Sequence, residues 1–281
     1  MMKIEVTAGP GLPPHPLYAY TGGKPFNPAQ PTVVFIHGVL NDHSVWILQS
    51  RYLAHHGWNV LAIDQAGHGH SGGRCPRSVA EASATVLALL DVLGVERAAL
   101  VGHSFGSLIA LHTAAQAPGR VSHLAMVGTA SPMRVSPALL ESALNQPDKA
   151  IAMVNTFSHS TLAPPPSALG PGTWLYGGSA ALMRRVLASN TAENVFHTGF
   201  VACDAYADGE ADMARVQCPV LLVLGERDQM TPPKAARNLV KAAKSAGLSP
   251  QVVTLPAGHS LMTEDPEGTL AALKDFLAVA A

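Results

Sequence analysis

Short apolar runs alternate with longer stretches of helical periodicity over most of the chain. Residues 32–36, 59–63, 98–101, 121–127, 220–224 and 251–255 are dominated by Val, Ile, Leu and Ala. They are too short for helices and are predicted to be buried strands. Residues 44–56, 78–93, 104–117, 232–246 and 266–280 carry apolar positions at helical spacing,. Ser44 is placed to cap the first of these, Gly94 ends the second and Pro118 stops the third,. Residues 1–31 are rich in Pro and Gly, with alternating runs at 3–7 and 17–21 that read as an N-terminal hairpin or edge strands,. Apolar strands alternating with helices predict an α/β fold, with a mostly parallel central sheet and helices on both faces.

The rhythm stops between residues 132 and 213. Helical pieces are expected at 137–144, 180–187 and 192–206, separated by a Pro/Gly/Ser-rich connector at 158–178 that contains Pro164-Pro165-Pro166. The expected organisation is a core of residues 1–131 and 214–281, with residues 132–213 inserted between core strands as a helical cap, or lid. This insertion brings Met153, Phe157, Trp174, Leu175, Tyr176, Met183, Phe196 and Phe200. Such an apolar set suits an uncharged acyl or alkyl substrate.

Composition narrows the classes. The 281 residues are 48% hydrophobic and only 13% charged, with a formal net charge of −1, so extensive burial is expected and disorder is not. No basic block points to nucleic acid or to an anionic membrane surface. No run approaches the roughly 20 apolar residues that span a bilayer, and residues 1–6 lack the pattern of a secretory leader. Cys75, Cys203 and Cys218 are sparse and odd in number. They are expected to be buried free thiols, consistent with a reducing cytoplasm. Assembly as a homo-oligomer is left open.

The candidate chemistry starts at Gly102-His103-Ser104-Phe105-Gly106, a G-x-S-x-G sequence with a strand before it and a helix after it. A serine on that sharp turn projects its hydroxyl above the sheet, and the flanking glycines remove side chains that would collide there. Ser104 is therefore the candidate nucleophile. A serine hydroxyl needs a base, and the base needs an orienting acid. Asp228 follows the strand at 220–224 and His259 the strand at 251–255, so both fall at the carboxyl edge that Ser104 occupies. Glu226 is a rival acid on the same loop. Asp204, Asp208 and Asp212 are expected to be solvated. His37, His68, His70 and His103 lie near the edge, but only His259 has the expected chain order. For a developing oxyanion, the donors expected are the backbone N–H of Phe105 and that of Val39, in the loop His37-Gly38-Val39-Leu40,. His37 itself is expected to bond loop backbone.

Two weaker patterns point elsewhere. Gly67-His68-Gly69-His70-Ser71-Gly72 fits G-x-G-x-x-G, but a loop follows it and no acidic residue lies at the right distance,. His68-x-His70 has no third ligand placed by motif. Neither a dinucleotide nor a metal is expected, and no cofactor is implied.

Together these residues resemble the α/β-hydrolase superfamily. The resemblance includes His37-Gly38 with Trp46 eight residues beyond Gly38, Asp64-x-x-Gly67-x-Gly69-x-Ser71, the Gly102–Gly106 elbow, the Asp228 loop, and Gly258-His259 followed by Glu264, Pro266 and Glu267. It implies the Ser104–Asp228–His259 triad, and a structural role for the Asp64–Ser71 turn. Ser104 argues against the haloalkane dehalogenases and epoxide hydrolases, which use aspartate. Val39-Leu40-Asn41-Asp42, Phe105 and Ser260 depart from the patterns of C–C hydrolases and proline iminopeptidases. What remains is similar to small bacterial carboxylesterases and cofactor-free haloperoxidase-like perhydrolases. The resemblance implies cleavage of a carboxylic ester, thioester or lactone through an acyl-serine. The alternatives are C–C hydrolysis or perhydrolysis on the same triad, and a non-catalytic ligand-binding or signalling protein on the same scaffold.

Overall fold

The structure is a computed structural model and describes residues 1–9, 13–160 and 174–278. The N-terminal segment forms β1 (Met2–Val6) and β2 (His15–Tyr20), paired antiparallel, as the hairpin reading expects. Then follow β3 (Thr32–Ile36), α1 (Ile47–Ala54), β4 (Asn59–Ile63), α2 (Val79–Val92), β5 (Ala98–His103), α3 (Phe105–Gln116) and β6 (Val121–Val127). Five helices precede the next strand: α4 (Pro137–Asn145), α5 (Pro147–Ser158), α6 (Leu175–Ser189), α7 (Val195–Ala205) and α8 (Gly209–Met213). The chain then returns through β7 (Val220–Gly225), α9 (Arg237–Ser245), β8 (Gln251–Leu255), α10 (Leu261–Glu264) and α11 (Pro266–Leu277).

The eight strands form one sheet in the order β1-β2-β4-β3-β5-β6-β7-β8. β2 pairs antiparallel with β4, and all pairs from β4 to β8 are parallel. Successive strand side chains alternate between faces, and here both faces are apolar. Val34, Ile36, Leu61, Ile63, Leu100, Leu124, Met126 and Leu222 pack on one side against α2, α3 and α9. Val33, Phe35, Val60, Ala62, Val101, Val127 and Val223 pack on the other against Trp46, Leu53 of α1 and Leu273 and Phe276 of α11. This double burial is why the strands read as continuous apolar runs rather than alternating ones.

Two capping details differ from the sequence reading. The helix expected at 44–56 is split into a 3₁₀ turn, His43–Trp46, and α1. Its cap is Asp42, whose carboxylate accepts from Ser44 N at 2.9 Å, because a carboxylate is the stronger acceptor for the exposed N–H groups,. The 232–246 stretch likewise starts as a 3₁₀ turn, Pro233–Ala236, before α9.

The insertion has a core of its own. Leu139, Ala143, Ile151, Met183, Val186 and Phe196 close on one another, and Leu40 joins them from beneath. Most of the connector at 158–178 lies outside the described residues. Its far end, expected as connector, is already the first turn of α6. All three cysteines are free and buried. Burial pushes the Cys75 and Cys203 thiols up to about 12 and Cys218 to about 11, so they are poor nucleophiles,. Among the described residues no helix is long and apolar enough to cross a membrane.

Candidate active site

β5 delivers Ser104 to the carboxyl edge of the sheet at φ 52°, ψ −122°. Only Leu40, at φ 56°, is another non-glycine residue of positive φ among those described. The turn packs backbone so closely on either side of Ser104 that only glycine fits there,. A Cβ on Gly102 would lie 2.1 Å from the Gly106 carbonyl oxygen, and one on Gly106 would lie 2.3 Å from that of Ile36. The turn is then tied down. Ser104 N donates to Val127 O at 2.9 Å, and Ser107 Oγ donates to Ser104 O at 2.6 Å and lies 2.8 Å from the Thr129 hydroxyl, with which it shares a hydrogen bond.

The loop after β7 builds a tight anion cup around Asp228, which is 4% exposed. Met230 N and Thr231 N each donate to Oδ1 at 2.8 Å, and Thr231 Oγ1 donates to Oδ2 at 2.7 Å. His259, on the loop after β8, completes it by donating from Nδ1 to Oδ2 at 2.8 Å. Burial pushes the Asp228 carboxyl up, but the charge and hydrogen bond of His259 and the bonds from Thr231 outweigh it and hold it at about 2,. With Nδ1 engaged as donor, Nε2 is the ring nitrogen left to accept a proton. The main chain of His259 is fixed as well: its N–H donates to Ser158 O at 2.7 Å and its carbonyl accepts from His103 Nε2 at 2.9 Å.

Ser104 and His259 border one cavity of about 240 Å³. The insertion supplies Met133, Leu139, Met153, Phe157 and Phe200 to its walls, and the core supplies Val39 and Met230. No hydrogen bond joins Ser104 Oγ to His259 among the described residues; such bonds are often long until substrate arrives. Phe105 follows the serine at the start of α3, and Val39 borders the same cavity from the 37–40 loop. Phe105 is the first residue of α3, so its N–H has no partner within the helix,. Neither N–H donates to an acceptor among the described residues.

The rivals separate from these residues. Glu226 is exposed, while Asp228 holds His259. His37 Nε2 accepts from Gln65 N at 3.0 Å and its Nδ1 donates to Gly38 O at 2.8 Å, so it braces loop backbone as expected. Burial pushes His68 down to about 4 and His103 to about 3, leaving both neutral and weakly basic. His70 pairs with Asp64 instead. Asp212 corrects the solvated reading: it is fully buried, and His112 Nδ1 at 2.7 Å, Tyr206 and Arg215 all bond it. It can be buried because both carboxylate oxygens find donors, His112 and Tyr206 on Oδ2 and Arg215 on Oδ1,.

Sequence reasoning missed the supports. Thr231 is a plain hydroxyl in a loop, and only its distance from Asp228 reveals it. Glu264 entered through resemblance alone. Its buried carboxylate accepts from Gly258 N and, at 2.6 Å, from Ser160 N, joining the His259 loop to the end of α5.

A family model described as alpha/beta hydrolase fold matches residues 31–266. The chain belongs to this family and is an α/β-fold hydrolase. It is 28% identical over 93% of its length, and 95% of the relative's, to a putative carbamate hydrolase RutD of Caulobacter sp. (strain K31). Among solved structures it is similar to the enol-lactonase from Burkholderia xenovorans LB400, with TM-score 0.79, 23% identity and coverage of 98% of this chain and 100% of that one. It is also similar to an esterase from Exiguobacterium antarcticum, with TM-score 0.80, 17% identity and 99% coverage of both chains.

Proposed function

We propose that the protein hydrolyses carboxylic esters, including cyclic ones, through an acyl-Ser104 intermediate. The observation that carries this reading is the Asp228–His259 pair meeting a strained serine on one cavity. His259 Nε2 takes the proton of Ser104 Oγ as the oxygen attacks the substrate carbonyl. Asp228 holds the tautomer and stabilises the imidazolium. The N–H groups of Val39 and Phe105 receive the oxyanion. His259 then returns the proton to the leaving alcohol, and water, activated by the same nitrogen, releases the acid.

The substrate class follows from the walls. A cavity of about 240 Å³ falls just below the roughly 300–1,000 Å³ of drug-sized ligand sites. Its thioether and aromatic walls favour a short to medium apolar acyl group. Helices α4–α7 serve as the lid over it. Lactones need no separate machinery, since the alcohol they release stays on the acyl chain. Both the enol-lactonase and the esterase names of similar structures fit this acyl chemistry.

Steady-state hydrolysis of p-nitrophenyl esters of increasing acyl length tests the reading. Wild type turns over the short and medium esters, and Ser104→Ala and His259→Ala fall by about 10³-fold or more. A folded but inactive wild type moves the reading to a ligand-binding protein. Activity retained in Ser104→Ala overturns the mechanism.

A further inference from the structure

A second cluster of titratable side chains lies on the same sheet edge, outside the cavity. Asp64 follows β4, His43 opens the 3₁₀ turn after the 38–42 loop, and His70 sits on the turn that follows Asp64. His43 Nδ1 is 2.7 Å from Asp64 Oδ1, and His70 Nδ1 is 3.1 Å from Asp64 Oδ2. The three potential ligand atoms lie within 4.8 Å of one another, the one such group among the described residues. The His68-x-His70 pair of the sequence is not the unit. His68 is buried, with Nδ1 toward Ala66 O at 3.1 Å and its ring 5.3 Å from His37. The fold instead sets His70 beside Asp64 on its own turn and His43 from the turn after the 38–42 loop.

We propose that His43, Asp64 and His70 bind a divalent first-row transition metal that favours imidazole, such as Zn²⁺, Ni²⁺ or Cu²⁺. Metal–ligand bonds of about 2.0–2.2 Å put neighbouring ligands roughly 3 Å apart. The two imidazole–carboxylate pairs already stand at that separation. The exchange needs no net proton loss from the rings. Each Nδ1 now donates to the carboxylate; a tautomer shift moves that proton to Nε2 and turns the Nδ1 lone pair toward the cation. One cation thus takes the place of two hydrogen-bonding protons. The carboxylate stays oriented meanwhile, because His43 N and His70 N each donate to it at 2.8 Å,. Tyr18 packs 4.9 Å from the His43 ring and 4.7 Å from the His70 ring, which limits their rotation. The His70 side chain is 59% exposed, so an ion and its remaining waters enter from solvent, and a small rotation of this ring closes the set. Mg²⁺ and Ca²⁺ fit poorly, since only one ligand group is an oxygen donor. The bound metal joins the turn after the Val39 loop to the turn after β4.

Calorimetric titration of Zn²⁺ into the chelator-treated full-length protein tests the site, with the thermal midpoint as second readout. Wild type takes one equivalent and melts at a higher temperature when loaded. His70→Ala binds at least about tenfold more weakly, loses the thermal shift, and hydrolyses esters at the wild-type rate without metal. The double substitution His55→Ala/His56→Ala, at two exposed histidines, binds like wild type. The proposal fails if wild type takes up no stoichiometric metal, if His70→Ala binds as tightly as wild type, or if the loss follows His55 and His56 instead.

Discussion

β7 and β4 each stand two strands from β5, on opposite sides, and each ends at a buried aspartate. The two corners are built alike. Asp228 receives two backbone N–H groups, a threonine hydroxyl and an imidazole Nδ1. Asp64 receives two backbone N–H groups and two imidazole Nδ1 atoms. Burial pushes both carboxyls up, and these donors pull both well below the ordinary carboxylate value. What differs is where the histidine leads. His259 borders the cavity that holds Ser104, whereas His43 packs on Tyr18 and His70 faces solvent. A carboxylate–imidazole pair is thus first a way to fix loops at a strand end. It becomes a candidate catalytic pair only where another strand brings a nucleophile to the same space.

Paired substitutions sharpen the contrast. Asp228→Asn is expected to lower kcat/KM on a p-nitrophenyl ester by about 10³-fold or more, while the protein stays folded in a urea titration. Asp64→Asn is expected to do the reverse. It turns one carboxylate oxygen, the acceptor of two of the four hydrogen bonds, into an amide NH₂ that faces those donors, and costs about 3 kcal/mol of unfolding free energy, with kcat of the folded enzyme within tenfold of wild type. An Asp64→Asn protein that is stable yet inactive breaks the comparison. The third expectation is a pH effect. The Asp228 carboxyl is held at about 2 against an ordinary 3.8, so its folded value is depressed. Its contribution, about 2 kcal/mol, is complete above the ordinary value and is lost as pH falls toward 2. Urea midpoints at pH 5 and pH 2.5 should therefore converge between wild type and Asp228→Asn as the pH drops; a constant gap refutes the assignment. The smallest effect is that of Thr231→Val, which removes one hydroxyl donor from Asp228. It should lower kcat about tenfold and leave KM unchanged.

The strands and the candidate site were legible for the same physical reason. A run buried on both faces leaves a plain apolar signature, and the elbow leaves its glycines, because only glycine fits where Gly102 and Gly106 touch backbone. Asp228 and His259 were legible through chain order. The insertion was harder to read. Helix α5 went unseen although Pro147 and Asp148 mark its first turn, because a proline in a Pro-rich sequence reads as a breaker as readily as a starter. Asp212 was misread because a carboxylate shows nothing of its partners: Tyr206 and Arg215 are near in sequence, but His112 comes from 100 residues away. The Asp64 cluster was hidden likewise: His43 and His70 are adjacent only after β3 and β4 pair.

The stitching of Ser158 and Ser160 to the His259 loop bears on engineering. A chimera that exchanges residues 132–213 for a foreign lid would cut through the clamp that positions the histidine, although no reacting group lies in the exchanged piece. Donor segments that retain a carbonyl and an N–H at these two places offer interchangeable specificity. Those that do not would yield folded proteins of little turnover, and a screen by expression level alone would pass them.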